Sequence, residues 1–221
     1  MNNPLKTILT LPKGMLLFLG IYAVSFPIAY IETKLTGQSV LLHWLGLQPL
    51  LVWKGEVWRV LTFELVSASV LGWAINLFWL ATLVNILRND WTSLRFWIFC
   101  FVAAVGGAIP LLFIFHETEF QVPVTGAGAV VCALLFAWDR FYHRERIMML
   151  GLGEVSVRQA AWFIIGLTAV ITFFSCGGWQ FTLSMFCGGA LGWLFLMIGN
   201  KRVMSRGSRV VESQRVARLE L

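Results

Sequence analysis

The stretch VTGAGAVVCALLFAW, Val124 to Trp138, decides how the chain is read. It opens on alternating small residues, continues as unbroken apolar sequence and ends against Asp139 and Arg140. That is the composition of a membrane helix, yet the apolar part falls short of the ~20 residues a full span needs. A helix this short is expected to sit buried among longer neighbours. Its glycines and alanines are the residues that let membrane helices approach closely.

The neighbours are present on both sides. Apolar stretches run over Met15–Ile31, Val66–Leu87, Leu94–Phe115, Ala160–Ser175 and Trp179–Gly199, of which the Ala160 stretch is also short. With the Val124 stretch they make six, so the expected fold is an all-α polytopic membrane protein, a six-helix bundle. With 58% hydrophobic and 13% charged residues, an ordinary soluble domain is excluded. Eleven Trp and eighteen Phe suit lipid-facing and interfacial positions. The first apolar run lacks a small-residue cleavage site and is long enough to stay, so no cleaved signal peptide is expected.

Charge gives an orientation. Lys6, Lys13, Arg88, Arg95, Arg140, Arg144, Arg146, Arg158 and six basic residues from Lys201 onward fall on one side, against Lys34, Lys54 and Arg59 on the other. The positive-inside rule then places both termini in the cytoplasm. The net charge of +6 reflects this topology and contact with anionic lipid, so the bilayer is an expected partner and nucleic acid is not. The organisation reads as a cytoplasmic segment over 1–13, a membrane domain over 14–199 and a basic cytoplasmic tail over 200–221. Within the domain, the long first connection, 32–62, mixes Leu, Trp and Pro with few charges and reads as an interfacial segment. Small residues concentrate in AAVGGA (Ala103–Ala108), GAGA (Gly126–Ala129) and GGALG (Gly188–Gly192). The pair Gly188 and Gly192 forms a small-xxx-small face, expected to meet Gly126 and Gly128 of the fourth helix.

Most membrane-embedded chemistry is excluded. A zinc helix needs two His one turn apart, and HETEF (His116–Phe120) has one, so neither a metal nor any other cofactor is expected. A paired-aspartate site needs two Asp inside the membrane, whereas Asp90 and Asp139 both lie at cytoplasmic helix ends. A nucleophilic Ser or Cys needs a base within reach, and none of the three His falls on a membrane helix. Cys100, Cys132, Cys176 and Cys187 have no pairing spacing and read as small buried hydrophobes.

Five further motifs carry a resemblance. GEVWRVLTF (Gly55–Phe63) is similar to a Trp-Arg motif that closes a long first loop. GWAINLFWLATL (Gly72–Leu83) is similar to a second-helix H-x-x-x-N segment. TSLRFWIFCFVAAVGGA (Thr92–Ala108) is similar to a third-helix entry, VTGAGAV (Val124–Val130) to V-G-A-S-G-A-V, and FCGGALG (Phe186–Gly192) to H-x-G-G-A-L-A-G. In this order and spacing, over about residues 14–199, the chain resembles the rhomboid superfamily of intramembrane serine proteases. The departures fall on the chemistry. The resemblance aligns the nucleophile with Ala127 (Gly128 if the register slips), the base with Phe186 (Met185 by the glycine spacing) and the oxyanion-holding His with Gly72. The Asn partner is kept as Asn76. The resemblance therefore implies a pseudoprotease with no catalytic residues.

Other candidates are structural or partner-binding. Trp58 and Arg59 are expected to anchor the first loop, with Arg59 bonded to loop carbonyls. Asn76 is expected to act as interhelical glue, and Glu64 to face water or Arg59. The expected function is a non-catalytic scaffold that binds transmembrane segments of client or partner membrane proteins, or of a membrane protease complex, and influences their stability, trafficking or proteolysis. The alternatives are an active protease with a displaced nucleophile, Thr125 or Ser184, and a small-solute transporter. Short loops and two basic ends suggest a bacterial inner membrane.

Overall fold

Each of the six apolar stretches folds as a helix. The computed structural model describes residues 12–37, 39–88, 91–116, 123–143, 145–149, 153–175 and 178–199. The expectations for the amino-terminal segment before Pro12 and for the basic tail lie outside the described residues.

Helix α1 spans Lys13–Thr36, and the first connection then folds into α2 (Val40–Leu45), α3 (Pro49–Trp53), α4 (Arg59–Thr62) and a 3₁₀ turn at Phe63–Leu65. The bundle continues with α5 (Val70–Leu87), α6 (Ser93–Ile114), α7 (Gly128–Tyr142), α8 (Val157–Ser175) and α9 (Trp179–Gly199). Five of these, α1, α5, α6, α8 and α9, are long and apolar enough to cross a membrane. The chain is an integral, multi-pass membrane protein, mostly helical. At 15 residues, α7 falls below the length of a span.

The architecture differs from the sequence expectation in five places. Helix α7 begins at Gly128 rather than Val124, because Val124 pairs with Leu47 and Gly126 turns the chain. Helix α1 runs past Ile31 to Thr36, where Gly37 closes it in the left-handed region at φ 77° and donates its N–H to the Thr33 carbonyl. Helix α5 begins at Val70 rather than Val66, since Ser69 is extended and accepts from the Gly72 N–H. Helix α8 is not short: at 19 residues it starts at Val157. Its start is a capping box, Ser156 Oγ accepting from the Gln159 N–H at 3.3 Å and Gln159 Oε1 accepting from the Ser156 N–H at 3.1 Å. Finally the fold is not purely helical. Between α7 and α8 a two-stranded antiparallel ribbon pairs β1 (Arg146–Met149) with β2 (Gly153–Ser156).

Helix α7 is the centre of the core. Ala129 through Leu135 are buried without a break, as in a helix surrounded on all sides. Helix α9 packs mainly against α6 and α7. The glycines of α9 make this possible, though against different partners from those expected. A Cβ at Gly188 would run into the Ala129 Cβ and stand 2.6 Å from the Ala103 carbonyl oxygen. One at Gly192 would stand 2.6 Å from the Ala133 Cβ and 3.3 Å from the Phe99 ring. The glycine face of α9 meets α7 at Ala129 and Ala133 rather than at Gly126 and Gly128.

Candidate functional site

The residues leading into α7 are held by main-chain groups of the first connection. Leu47 and Val124 exchange both backbone hydrogen bonds, at 2.9 and 3.0 Å. The Gly126 N–H donates to the Phe63 carbonyl at 3.0 Å, and Thr125 Oγ1 accepts from the Ala68 N–H at 3.1 Å. Gly126 turns the chain at φ 119°, where a side chain would be strained.

Ala127 is the N-cap of α7, fully buried, and its methyl accepts nothing. The missing acceptor comes from the first connection: Glu64 Oε2 accepts from the Val130 N–H at 3.3 Å. A carboxyl oxygen there meets the positive end of the helix dipole. Glu64 is 1% exposed, and burial raises its carboxyl above the ordinary range although the Val130 and Ala129 amides pull the other way. The expectation that Glu64 faces water or Arg59 is therefore corrected. An acid in an apolar setting needs donors, and here the donors are backbone amides.

Arg59 is paired elsewhere. Its guanidinium donates to the His43 carbonyl, to the Gly46 carbonyl at 2.8 Å and to the Glu56 carboxylate through Nε at 2.6 Å, and the side chain is buried. It ties α2 to α4 from inside the connection. Trp58 is largely exposed, with Nε1 donating to the Trp44 carbonyl at 3.3 Å.

A cavity of about 20 Å³ lies at the start of α7, room for about one water. Gly72 and Asn76 of α5, Gly126 and Gly128 before and in α7, Thr172 of α8 and Met185 of α9 line it, together with Ser67, Thr125 and Ser184. Met185 is buried and faces Gly128, where a Cβ would lie 3.7 Å from its side chain. Phe186, by contrast, is 41% exposed and points away. Of the two alternatives for the base position, Met185 lines the cavity and Phe186 does not, one residue on a helix being about 100° of rotation.

Asn76 is buried with its Oδ1 unpaired, and the Tyr22 hydroxyl stands near Asn76, Ser67 and the Ala127 backbone without a geometrically satisfied bond of its own. No histidine, carboxylate, Lys or Arg lines the cavity among the described residues. Thr125 already accepts from Ala68, and Ser184 is buried against Gly107. The described residues hold no group of three His, Cys, Asp or Glu placed for a metal ion. Sequence reasoning missed Glu64 as the cap of α7 and Tyr22 as a member of the polar cluster. Neither had a readable signal, whereas Met185 was given by its spacing from the two glycines.

The chain matches the family described as eukaryotic integral membrane protein (DUF1751) over residues 14–209. No curated protein matches it. The family is described as eukaryotic, so the bacterial inner membrane expected from short loops and basic ends has no support.

Proposed function

The chain belongs to the eukaryotic integral membrane protein family DUF1751, and from that premise we propose that it is a rhomboid-like pseudoprotease. In this reading it is a non-catalytic scaffold, with both termini in the cytoplasm, that binds transmembrane segments of client or partner membrane proteins and influences their stability, trafficking or proteolysis. Clients arrive from the bilayer, alone or within a membrane protease complex.

One observation carries the reading. Gly128, Met185 and Gly72, which the resemblance aligns with a nucleophile, a base and an oxyanion donor, line one cavity together with the retained Asn76. What is left is a polar recess between membrane helices with no hydroxyl–imidazole pair to do acyl chemistry. A recess of that kind offers hydrogen bonds and close backbone approach, which are the forces that associate helices in lipid.

Site-specific photo-crosslinking tests it. A photoreactive residue at Thr172, beside the cavity, should capture membrane proteins, and one at Leu17, an exposed position on α1, should not. A serine-directed fluorophosphonate should leave the protein unlabelled. Labelling that Ser184→Ala or Thr125→Val abolishes, or cleavage of a reporter transmembrane segment, would overturn the scaffold in favour of an enzyme.

A further inference from the structure

At the far end of α7 from the recess, two buried N–H groups of the described residues have no hydrogen-bond partner, Trp91 Nε1 and Arg140 Nε. Both groups can only donate. The Trp91 ring stands 6.4 Å from that of Phe141, the residue after Arg140, and Arg95 lies over the same indole at 6.0 Å. A buried donor without an acceptor is costly, and a buried cation without an anion more so.

The helix places Arg140. It follows Ala133 by seven residues and Phe136 by four, so it lies on the face of α7 that meets α9. The two helices run in the same direction, Gly188 meeting Ala129 and Gly192 meeting Ala133, which brings Arg140 level with Gly199 at the end of α9. About 18 Å of helix separates it from Gly128 and the recess. The dipole of α7 favours a cation in this last turn. That does not account for a half-buried guanidinium whose Nε is turned inward, since a snorkelling Arg keeps its head in water. Among the described residues no carboxylate pairs with it, and the adjacent Asp139 pairs with Arg158 at 3.3 Å. One turn further into the bundle, Phe136 meets Trp162 of α8 edge to face at 5.5 Å, and Trp162 is 56% exposed.

We infer that this end of α7 binds the phosphate of an anionic phospholipid, with Arg140 as its cation and the acyl chains against Phe136 and Trp162; the inference goes beyond the scaffold reading and does not depend on it.

The chemistry, the depth and the charge agree. A phosphate diester oxygen pair accepts without donating, and a guanidinium forks onto it. A phospholipid carries that group at the level where membrane helices end, with its chains running back along the aromatic wall of Phe136 and Trp162. A zwitterionic lipid brings a tethered cation that competes with Arg140 for the phosphate, whereas an anionic lipid does not. Lys201 and Arg202 follow α9 in the sequence and add to the attraction. In the orientation proposed above this end faces the cytoplasmic leaflet, where anionic lipids lie.

Native mass spectrometry of the full chain in dodecylmaltoside tests this, with phosphatidylglycerol and phosphatidylcholine added in equal amounts. Phosphatidylglycerol should be retained about fivefold better or more, the preference expected of one basic residue meeting an anionic headgroup. Arg140→Gln should remove the preference, and Arg140→Lys should keep part of it, the charge without the fork. Arg146→Gln, which removes an exposed cation of the ribbon that follows α7, should leave it unchanged. In lipid-free detergent Arg140→Gln should melt with the parent, because no protein group loses a partner. Excess inorganic phosphate should not displace the lipid. Equal retention of the two lipids, a preference that survives Arg140→Gln, or one lost equally in Arg146→Gln overturns the inference. So does displacement by inorganic phosphate, which would make the ligand a soluble anion. Melting of Arg140→Gln several degrees below the parent without lipid overturns it too, by making Arg140 a structural residue.

Discussion

Gly192→Ala measures how tightly α9 is seated on α7. The added methyl would stand 2.6 Å from the Ala133 Cβ, whereas carbon atoms rest at about 3.5–4.0 Å, so the helices must part by roughly 1 Å. Overpacking of this kind costs about 1–3 kcal/mol. Replacing Gly by Ala inside a helix returns about 1 kcal/mol, which leaves a net loss of about 0–2 kcal/mol. The sharper quantity is the coupling. Ala133→Gly removes the opposing methyl, so the double variant moves one methyl from α7 to α9 and should unfold within about 1 kcal/mol of the parent, with a coupling of about 1–3 kcal/mol. Gly166→Ala is the control: it lies in α8 with nothing within 4 Å of a built Cβ, and should be neutral or stabilising by up to about 1 kcal/mol. Unfolding in dodecylmaltoside, followed by tryptophan fluorescence and circular dichroism, reads the parent and the four variants. If the two single changes simply add, within about 0.5 kcal/mol, α9 does not sit on Ala133 and the packing argument fails.

Arg59→Ala should cost about 3–5 kcal/mol, because it leaves the Glu56 carboxylate without its partner and the His43 and Gly46 carbonyls without their donor; Arg59→Lys should recover only part, a single ammonium being unable to fork to all three. Melting of the two variants checks this, and equal melting of Arg59→Lys and the parent would refute it. Glu64, outside the five long helices, has its carboxyl raised by burial to about 8 from 4.5, so the folded protein holds that proton more tightly than the unfolded chain. Its contribution is then fully present below pH 4.5 and is lost as the pH rises toward about 8; the melting temperature should fall over that window, and Glu64→Gln should flatten the fall. Ala127→Ser places a hydroxyl at the N-cap of α7 beside the Tyr22 hydroxyl and should melt at or slightly above the parent, whereas a drop of several degrees would mean the position is packed too tightly for one more atom. Cysteine introduced at Ser208 should react with an impermeant maleimide only after cells are opened, and reaction in intact cells would reverse the orientation read from the charges.

The long helices were legible because a span is a bulk property: a run of apolar residues of sufficient length has few other uses. Their ends were not, since each depends on one or two residues, as on Gly37 in closing α1 and on Ser156 and Gln159 in starting α8. The ribbon after α7 went unread because RIMM and GEVS are four residues each, too short for alternation to stand out. The glycines of α9 announced a close contact but not its partner, for the opposing residues are Ala129 and Ala133, and alanine is common on any helix. Glu64 was misread for a more general reason. Its partner is a main-chain amide, and a main-chain amide has no signature in a sequence.

That last point bears on how the site is maintained in the proposed reading. The entry to α7 is fixed by Leu47 to Val124, Phe63 to Gly126, Ala68 to Thr125 and Glu64 to Val130. On the α7 side, three of the four ties use main-chain groups, and none uses the side chain of residue 127. The position of the helix start is thus independent of whether residue 127 carries a hydroxyl. The same holds across the cavity, where Gly72 contributes its N–H to Ser69 and Met185 contributes volume against Gly128. A fold held in this way tolerates the absence of a nucleophile, a base and an oxyanion donor together, since no hydrogen bond that fixes it passes through their side chains. What it cannot tolerate losing is the connection that supplies the ties, and Arg59, buried inside that connection and bonded to two of its carbonyls, is the residue on which its shape depends.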